Sequence, residues 1–157
     1  MPGRAGRASL AGVMKDFKFL AIFLGLILDI AGSLFSGIII AILLMAYDAL
    51  LGMSLKNIMV EMDAVHLSHN LLAQLLGLGF GEFFTFAGGF LVGWMARGYE
   101  VKNALTMGLV SAVLGLAFWS FYPAWYNIVC LLLTPAVGTA GGRVARIVFV
   151  SPRPPRA

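Results

Sequence analysis

The chain has 157 residues, of which 61% are hydrophobic and only 11% are charged. Soluble domains carry about 25% charged residues, so this composition excludes an ordinary water-soluble domain and indicates an integral membrane protein. The formal net charge of +4 does not indicate a nucleic-acid partner, because the basic residues are divided among the flanks of apolar runs and form no basic-aromatic stripe.

Four apolar runs approach or exceed the length of about 20 residues that a helix needs to cross a hydrocarbon core of about 30 Å. We predict spans at residues 19–47, 71–96, 104–122 and 125–142. The fourth run is the shortest and contains Pro135, so its ends are the hardest to place. The predicted fold is an all-α integral membrane bundle of four transmembrane helices over residues 19–147, between a basic tail (1–18) and a proline-rich tail (148–157).

The external connection between the first two spans, residues 48–70, carries apolar side chains at helical spacing. This pattern predicts a short amphipathic helix on the outer membrane surface. Within it, Asp63, His66 and His69 follow one another in steps of three, which raises the alternative of a zinc or copper site, or of docking to a partner. On a helix these side chains spread over about 120°, and the chain has no other histidine to complete a metal shell, so solvated polar positions are the simpler interpretation.

Ten of the eleven basic residues lie on one side of this four-span arrangement, and only Lys56 lies on the other. Basic residues collect on the cytoplasmic side of membrane helices, so both termini are predicted to be cytoplasmic. Anionic lipid headgroups at that face are the expected partners. Aromatic residues cluster around Pro123 in the external turn between the last two spans, at a level in the membrane that Trp and Tyr favour.

Small residues recur at every fourth position along the spans. In lipid, helix association depends on close approach of the backbones, which such rows allow. The rows predict a compact bundle or a homo-oligomer, and the alternative is a glycine-lined gap for a ligand or an ion. The predicted packing positions are Gly25, Ser33, Gly37, Gly77, Gly81, Gly89, Gly93, Gly108, Gly115, Gly138 and Gly142.

Two acids interrupt the apolar spans. Asp29 lies about 15 Å from the inner start of the first span and Glu82 about 16 Å from the outer start of the second, so both are predicted near mid-depth, and Gln74 falls on the same face of its helix as Glu82. A carboxylate at this depth costs about 3 kcal/mol and usually faces the bundle interior or a water-filled cavity. If the two acids share one site, burial and mutual repulsion favour a proton on at least one of them, which is the property of a proton carrier.

The alternative role of these acids is structural. In that interpretation each acid stays protonated and bonds to a neighbouring carbonyl or hydroxyl group, which only fixes the helix packing. The candidate hydroxyl partners are Ser33, Ser36 and Thr85.

The segment from Gly88 to Gly115, "GGFLVGWMARGYEVKNALTMGLVSAVLG", has a double glycine, another glycine four positions on, a basic inner turn and a third span with spaced small residues. It resembles a pattern in small uncharacterised bacterial four-span membrane proteins, and "AGGRVARI" at Ala140–Ile147 looks like the same ending used again. The resemblance implies a bacterial inner membrane and no known activity. The long external connection departs from the compact pattern.

The sequence therefore favours a structural or accessory role, as a homo-oligomer or as a subunit of a larger membrane complex. The alternatives are a small proton- or cation-coupled transporter or channel that uses the acids of the two spans, and external docking through the histidine segment. The sequence has neither a nucleophile–base pair nor a phosphate-binding loop, so we expect no enzyme activity and no cofactor.

Overall fold

The computed structural model describes residues 18–54, 57 and 70–149. Its elements are α1 (Phe19–Leu50), α2 (Leu71–Met95), α3 (Glu100–Gly115), a 3-10 helix (Leu116–Phe121) and α4 (Ala124–Phe149). No β-strand occurs among the described residues. The predicted all-α class is confirmed.

Within the described residues, four helices are long and apolar enough to cross a membrane, when the 3-10 helix is counted with α3 as one span, Glu100–Phe121. Between 22% and 28% of the residues in the most apolar part of each span are buried inside the bundle. The large remaining apolar surface suits a multi-pass membrane protein, because such surface is stable against lipid and rarely exposed to water. We call the end that holds Leu50 and Leu71 the outer end and the opposite end the inner end.

Helix α1 continues to Leu50, past the end predicted at residue 47, and ends in a glycine-based cap. Gly52 has a φ of +78°, its N–H donates to the carbonyl oxygen of Ala49 at 3.0 Å, and the N–H of Met53 donates to that of Asp48 at 3.1 Å. This Schellman pattern satisfies carbonyl groups that the helix end would leave unpaired. Asp48 therefore belongs to α1 and not to the external connection.

Helix α4 continues through Pro135 to Phe149, well past the end predicted at residue 142. A proline removes one backbone hydrogen bond, but membrane helices tolerate this loss when a neighbouring helix packs against the site. Here α3 lies close to the proline, since a Cβ placed on Gly108 would be 2.9 Å from the Cα of Pro135. Arg143 and Arg146 are therefore part of the inner end of α4.

Several predicted features lie outside the described residues. They are most of the external amphipathic segment, including Asp63, His66 and His69, and the two tails at residues 1–17 and 150–157. The metal or docking site and the external helix stay predictions.

Neighbouring helices of the chain pack in antiparallel pairs, α1 along α2 and α3 along α4, and α2 and α4 lie side by side. The pair α2 and α4 is parallel and touches backbone to backbone. A Cβ on Gly93 would be 2.9 Å from the Cα of Gly142, and a Cβ on Gly89 would collide with the carbonyl oxygen of Gly138. In both pairs the facing glycines are 49 positions apart in the sequence, so these contacts set one register for the two helices.

The same register aligns a short pattern that occurs twice: a glycine, a second glycine four positions later, and an Ala-Arg pair that begins three positions after the second glycine. It occupies residues 89, 93, 96 and 97, where the pair directly follows the end of α2, and residues 138, 142, 145 and 146 within α4. The alanines are buried and the arginines are exposed. The repeated ending thus reflects two parallel helices that use equivalent small residues to approach each other.

Some predicted packing residues do not contact another helix of this chain. Ser33, Gly37 and Gly115 are exposed, and a Cβ on Gly37, Gly81 or Gly115 would meet no atom within 4 Å. The reason is geometric: a step of four residues advances 400°, so a four-residue row turns by about 40° at each step and leaves the contact face. The buried face of α1 instead follows Gly25, Asp29, Gly32 and Ser36, which have the 3.6-residue period.

The other predicted packing residues lie at or near helix contacts. Close contacts or buried positions are found at Gly25, Gly89, Gly93, Gly108, Gly138 and Gly142, whereas Gly77 is half-buried and a Cβ there would lie 3.4 Å from the Tyr126 hydroxyl oxygen. The unpredicted Gly88 also packs closely, since its Cβ would be 2.7 Å from the carbonyl oxygen of Gly25. In the inner half of the bundle, the helices therefore contact one another mainly through glycines.

We expect Gly89→Leu to lower the free energy of unfolding by about 3 kcal/mol, since overpacking against backbone cannot be relieved by a side-chain rotation. Gly115→Leu is the matched control, because it adds the same side chain to a position with open space around it. Reversible denaturation in mixed micelles measures both. Equal stability of the two variants would contradict the backbone contact between α2 and α4.

Candidate functional site: a carboxyl pair at mid-depth

Asp29 is buried between three helices, with 3% of its surface exposed. The Thr85 hydroxyl of α2 donates to Oδ1 of Asp29 at 2.7 Å, and the Ser111 hydroxyl of α3 donates to Oδ2. Each carboxyl oxygen therefore accepts a hydrogen bond from a different helix. Such bonds offset part of the cost of burying an acid away from water.

Glu82 is half-buried and bonds to the fourth helix. Its Oε1 accepts a hydrogen bond from the Thr134 hydroxyl at 2.8 Å. Its Oε2 is buried and has no hydrogen-bond partner, and no other buried side-chain nitrogen or oxygen atom of the described residues lacks one. An unpartnered buried polar atom costs about 1–3 kcal/mol, so Oε2 marks an unsatisfied position in the bundle.

The two carboxyl groups belong to one polar centre. Thr85, which bonds to Asp29, lies one helical turn from Glu82 on α2, and the charges of the two acids interact. Their donors Ser111 and Thr134 stand on the other two helices. The structure thus brings together one or more polar residues from each of the four spans, which we call the carboxyl centre (Asp29, Glu82, Thr85, Ser111 and Thr134).

The carboxyl centre lies near the middle of the bundle. Counted from the helix ends, Asp29 and Ser111 are about 15 Å from the inner end, and Glu82 and Thr134 are about 15 Å from the outer end. Hydrocarbon cores are about 30 Å thick, so in a membrane both acids would lie close to the midplane. The depth of Asp29 and Glu82 in a membrane stays a prediction.

The basic side chains of the described spans do not reach this depth. They lie at or beyond the inner ends of the helices, at Lys18, Arg97, Lys102, Arg143 and Arg146. An internal salt bridge at the midplane is therefore not available to either acid from these residues. A proton, a small cation or a group from another chain is left to neutralise the charge.

The sequence identified part of this centre. Of the three hydroxyl partners expected for the acids, Thr85 bonds to Asp29, Ser36 bonds instead to the carbonyl oxygen of Gly32 in its own helix, and Ser33 is exposed. The predicted site residue Gln74 is buried, but it lies two turns farther toward the outer end than Glu82. It is therefore not in the centre itself.

Sequence reasoning did not assign Ser111 and Thr134 to the site. The sequence pattern around Ser111 and Thr134 was a weak signal. Each of them occupies a small-residue row at mid-depth, where a hydroxyl can replace a glycine at little cost in volume. Which hydroxyl of four helices meets a given acid depends on helix register, which no local pattern contains.

Among the described residues, no group of three or more His, Cys, Asp and Glu side chains is arranged to hold a metal ion.

Comparisons with protein-family models, curated proteins and solved structures find no match to this chain. The resemblance to small bacterial four-span membrane proteins therefore stays a prediction. What can be said of the site depends on its own geometry.

We expect Thr134→Val to destabilise the protein by about 1–3 kcal/mol, because it leaves both oxygens of Glu82 without a donor. Thr139→Val on the same helix is the matched control, since the Thr139 hydroxyl bonds only to the carbonyl oxygen of Pro135 one turn away. The unfolding of both variants in micelles should be measured with Glu82 present and again in proteins that also carry Glu82→Leu. The cost of Thr134→Val should fall there, and an unchanged cost would contradict the bond to Glu82.

Proposed function

We propose that this protein is a small membrane transporter or channel in which Asp29 and Glu82 bind the coupling proton or cation. The observation that carries the proposal is Oε2 of Glu82, a buried carboxyl oxygen without a donor near the bilayer midplane. Acids that only fix helix packing would be bonded at both oxygens, as Asp29 is. Glu82 departs from that arrangement and has one oxygen free for a ligand.

The chemistry of the carboxyl centre suits a proton or a hard cation. Its groups are two carboxyls and three hydroxyls, all of them oxygen donors and acceptors, and oxygen ligands are those that hard cations prefer. Ionisable residues within membrane spans commonly mark proton relays and ion paths. The absence of a basic side chain at the same depth in the described spans means that an incoming cation would meet no fixed positive charge.

The test is transport by the purified protein in liposomes under an imposed pH gradient. We expect Glu82→Gln and Asp29→Asn to abolish the flux while the helical content and oligomeric state are unchanged, since both substitutions preserve shape and remove the charge. Glu100→Gln is the control, because Glu100 is buried at the inner end and bonds to the backbone N–H of Gly98. Flux that survives both acid substitutions, or that is lost equally in the control, would exclude the proposal.

A structural or accessory role is the second candidate, and one observation favours it. The outer halves of α1 and α2 border an apolar groove of about 460 Å³, lined mainly by Phe35, Ile39, Leu75, Phe80 and Phe83. The exposed small residues Ser33 and Gly37 stand on the adjoining part of α1. Small exposed residues beside a groove suit close approach of another helix, from a second copy or from another membrane subunit.

For this second candidate we expect purification in a mild detergent to give a stoichiometric complex or a defined homo-oligomer. Gly37→Leu should disrupt that assembly because it fills the exposed small-residue surface. Gly52→Leu is not a suitable control, because Gly52 has a positive φ. Leu43→Phe, a change of one large exposed apolar residue for another on α1, is the better control. Purification of the unaltered protein as a monodisperse monomer would contradict the accessory role.

The proposed location is the bacterial inner membrane, with both termini in the cytoplasm. The distribution of basic residues supports this orientation, and the exposed Arg97, Arg143 and Arg146 at the inner end suit anionic lipid headgroups as partners.

A further inference from the structure

The two halves of the bundle differ in what lies between the carboxyl centre and the membrane surface. The inner half is closed by apolar side chains and backbone contacts. Val92, Ala96, Ala104 and Met107 have no exposed surface there. The facing pairs Gly25–Gly88 and Gly93–Gly142 approach so closely that a Cβ could not be accommodated without a shift.

The outer half has polar groups and open space along the same line. The Tyr126 hydroxyl faces Gly77, next to the Cys130 thiol, and both side chains are only half-buried. Gln74 lies one turn farther toward the outer end. These groups form a polar line toward Glu82.

Gly81 leaves open space at the level of these polar groups. It stands one position before Glu82, and a Cβ placed on it would meet no atom within 4 Å. By the 49-residue register of α2 and α4, Gly81 stands level with Cys130, just as Gly77 stands level with Tyr126. Open space therefore lies beside α2 at this level, and we call it the gap at Gly81.

We infer that the carboxyl centre is reached from the outer face alone, along a route that passes Gln74, Tyr126 and the gap at Gly81 to Glu82. This inference rests on the proposed function and deepens it, because it names the side from which the proton or cation enters. Release to the inner face then requires the glycine contacts of the inner half to separate. One-sided access of this kind is what alternating-access transport needs in each of its states.

The titratable groups around Glu82 are few. Among the described residues, Asp29 of α1 and Tyr126 and Cys130 of α4 lie near Glu82, whereas α3 contributes the hydroxyl of Ser111 to the same centre. None of these groups carries a positive charge that would compete with an entering cation. The route is therefore defined by neutral polar groups and by small residues.

Cys130 is the single cysteine of the chain and serves as a native reporter beside the route. The experiment treats the full-length protein in liposomes with a small, membrane-impermeant methanethiosulfonate, applied from one face at a time, and measures the modified fraction by mass spectrometry. Ser54→Cys and Arg97→Cys, each combined with Cys130→Ser, identify the two faces because both positions are exposed at opposite ends. We expect Cys130 to react from the outer face and not from the inner face.

Gly81→Leu tests the gap itself. The added side chain enters open space, so the fold is expected to be retained, and the reaction of Cys130 from the outer face should be lost together with the flux. Gly115→Leu is the control, because it adds the same side chain at an open position on α3, and its labelling should equal that of the unaltered protein. Reaction from the inner face, from both faces or from neither, or undiminished reaction in Gly81→Leu, would overturn the inference.

The two proposals can fail separately. Outer-face labelling of Cys130 in a protein without pH-driven flux supports the route and contradicts transport. Flux that depends on Glu82, in a protein whose Cys130 reacts only from the inner face, supports transport and contradicts the outer route. Glu82→Gln should stop the flux and leave the labelling unchanged, since it preserves the size of the side chain at the end of the route.

Discussion

The structure depends on one constraint: two carboxyl groups lie in the middle of a bundle whose exterior is apolar. Acids at this depth are stable only when protein groups replace the water they have lost. The bundle meets this requirement with hydroxyl groups from three different helices, Thr85, Ser111 and Thr134. The same bonds join α1 to α2 and α3, and α2 to α4, so the carboxyl centre also connects the four spans.

Close packing of the helices makes these bonds possible. A threonine or serine hydroxyl reaches only a short distance from its own backbone, so the helices that carry donor and acceptor must lie near each other. Glycines provide this proximity between α1 and α2, between α2 and α4, and between α3 and α4. In lipid, where apolar side chains gain little by leaving hydrocarbon for a protein interior, such packing and hydrogen bonding are the main forces that join helices.

The glycines also make the two halves of the bundle differ in packing. In the inner half they allow backbones to touch, and the space between the helices closes. In the outer half, a Cβ on Gly77 would meet only the Tyr126 hydroxyl, and a Cβ on Gly81 would meet no atom within 4 Å. The residues around a glycine thus decide whether it brings two helices into contact.

The all-α class and the four apolar helices of the described residues could be predicted from the amino-acid sequence, because composition and run length are local properties. The choice of packing residues could not be predicted in the same way, because a four-residue row drifts around a helix and left Ser33, Gly37 and Gly115 outside the contacts. The folded bundle was needed to show that Ser111 and Thr134 complete the carboxyl centre and that one oxygen of Glu82 has no donor. Both features depend on the register and rotation of four helices relative to one another.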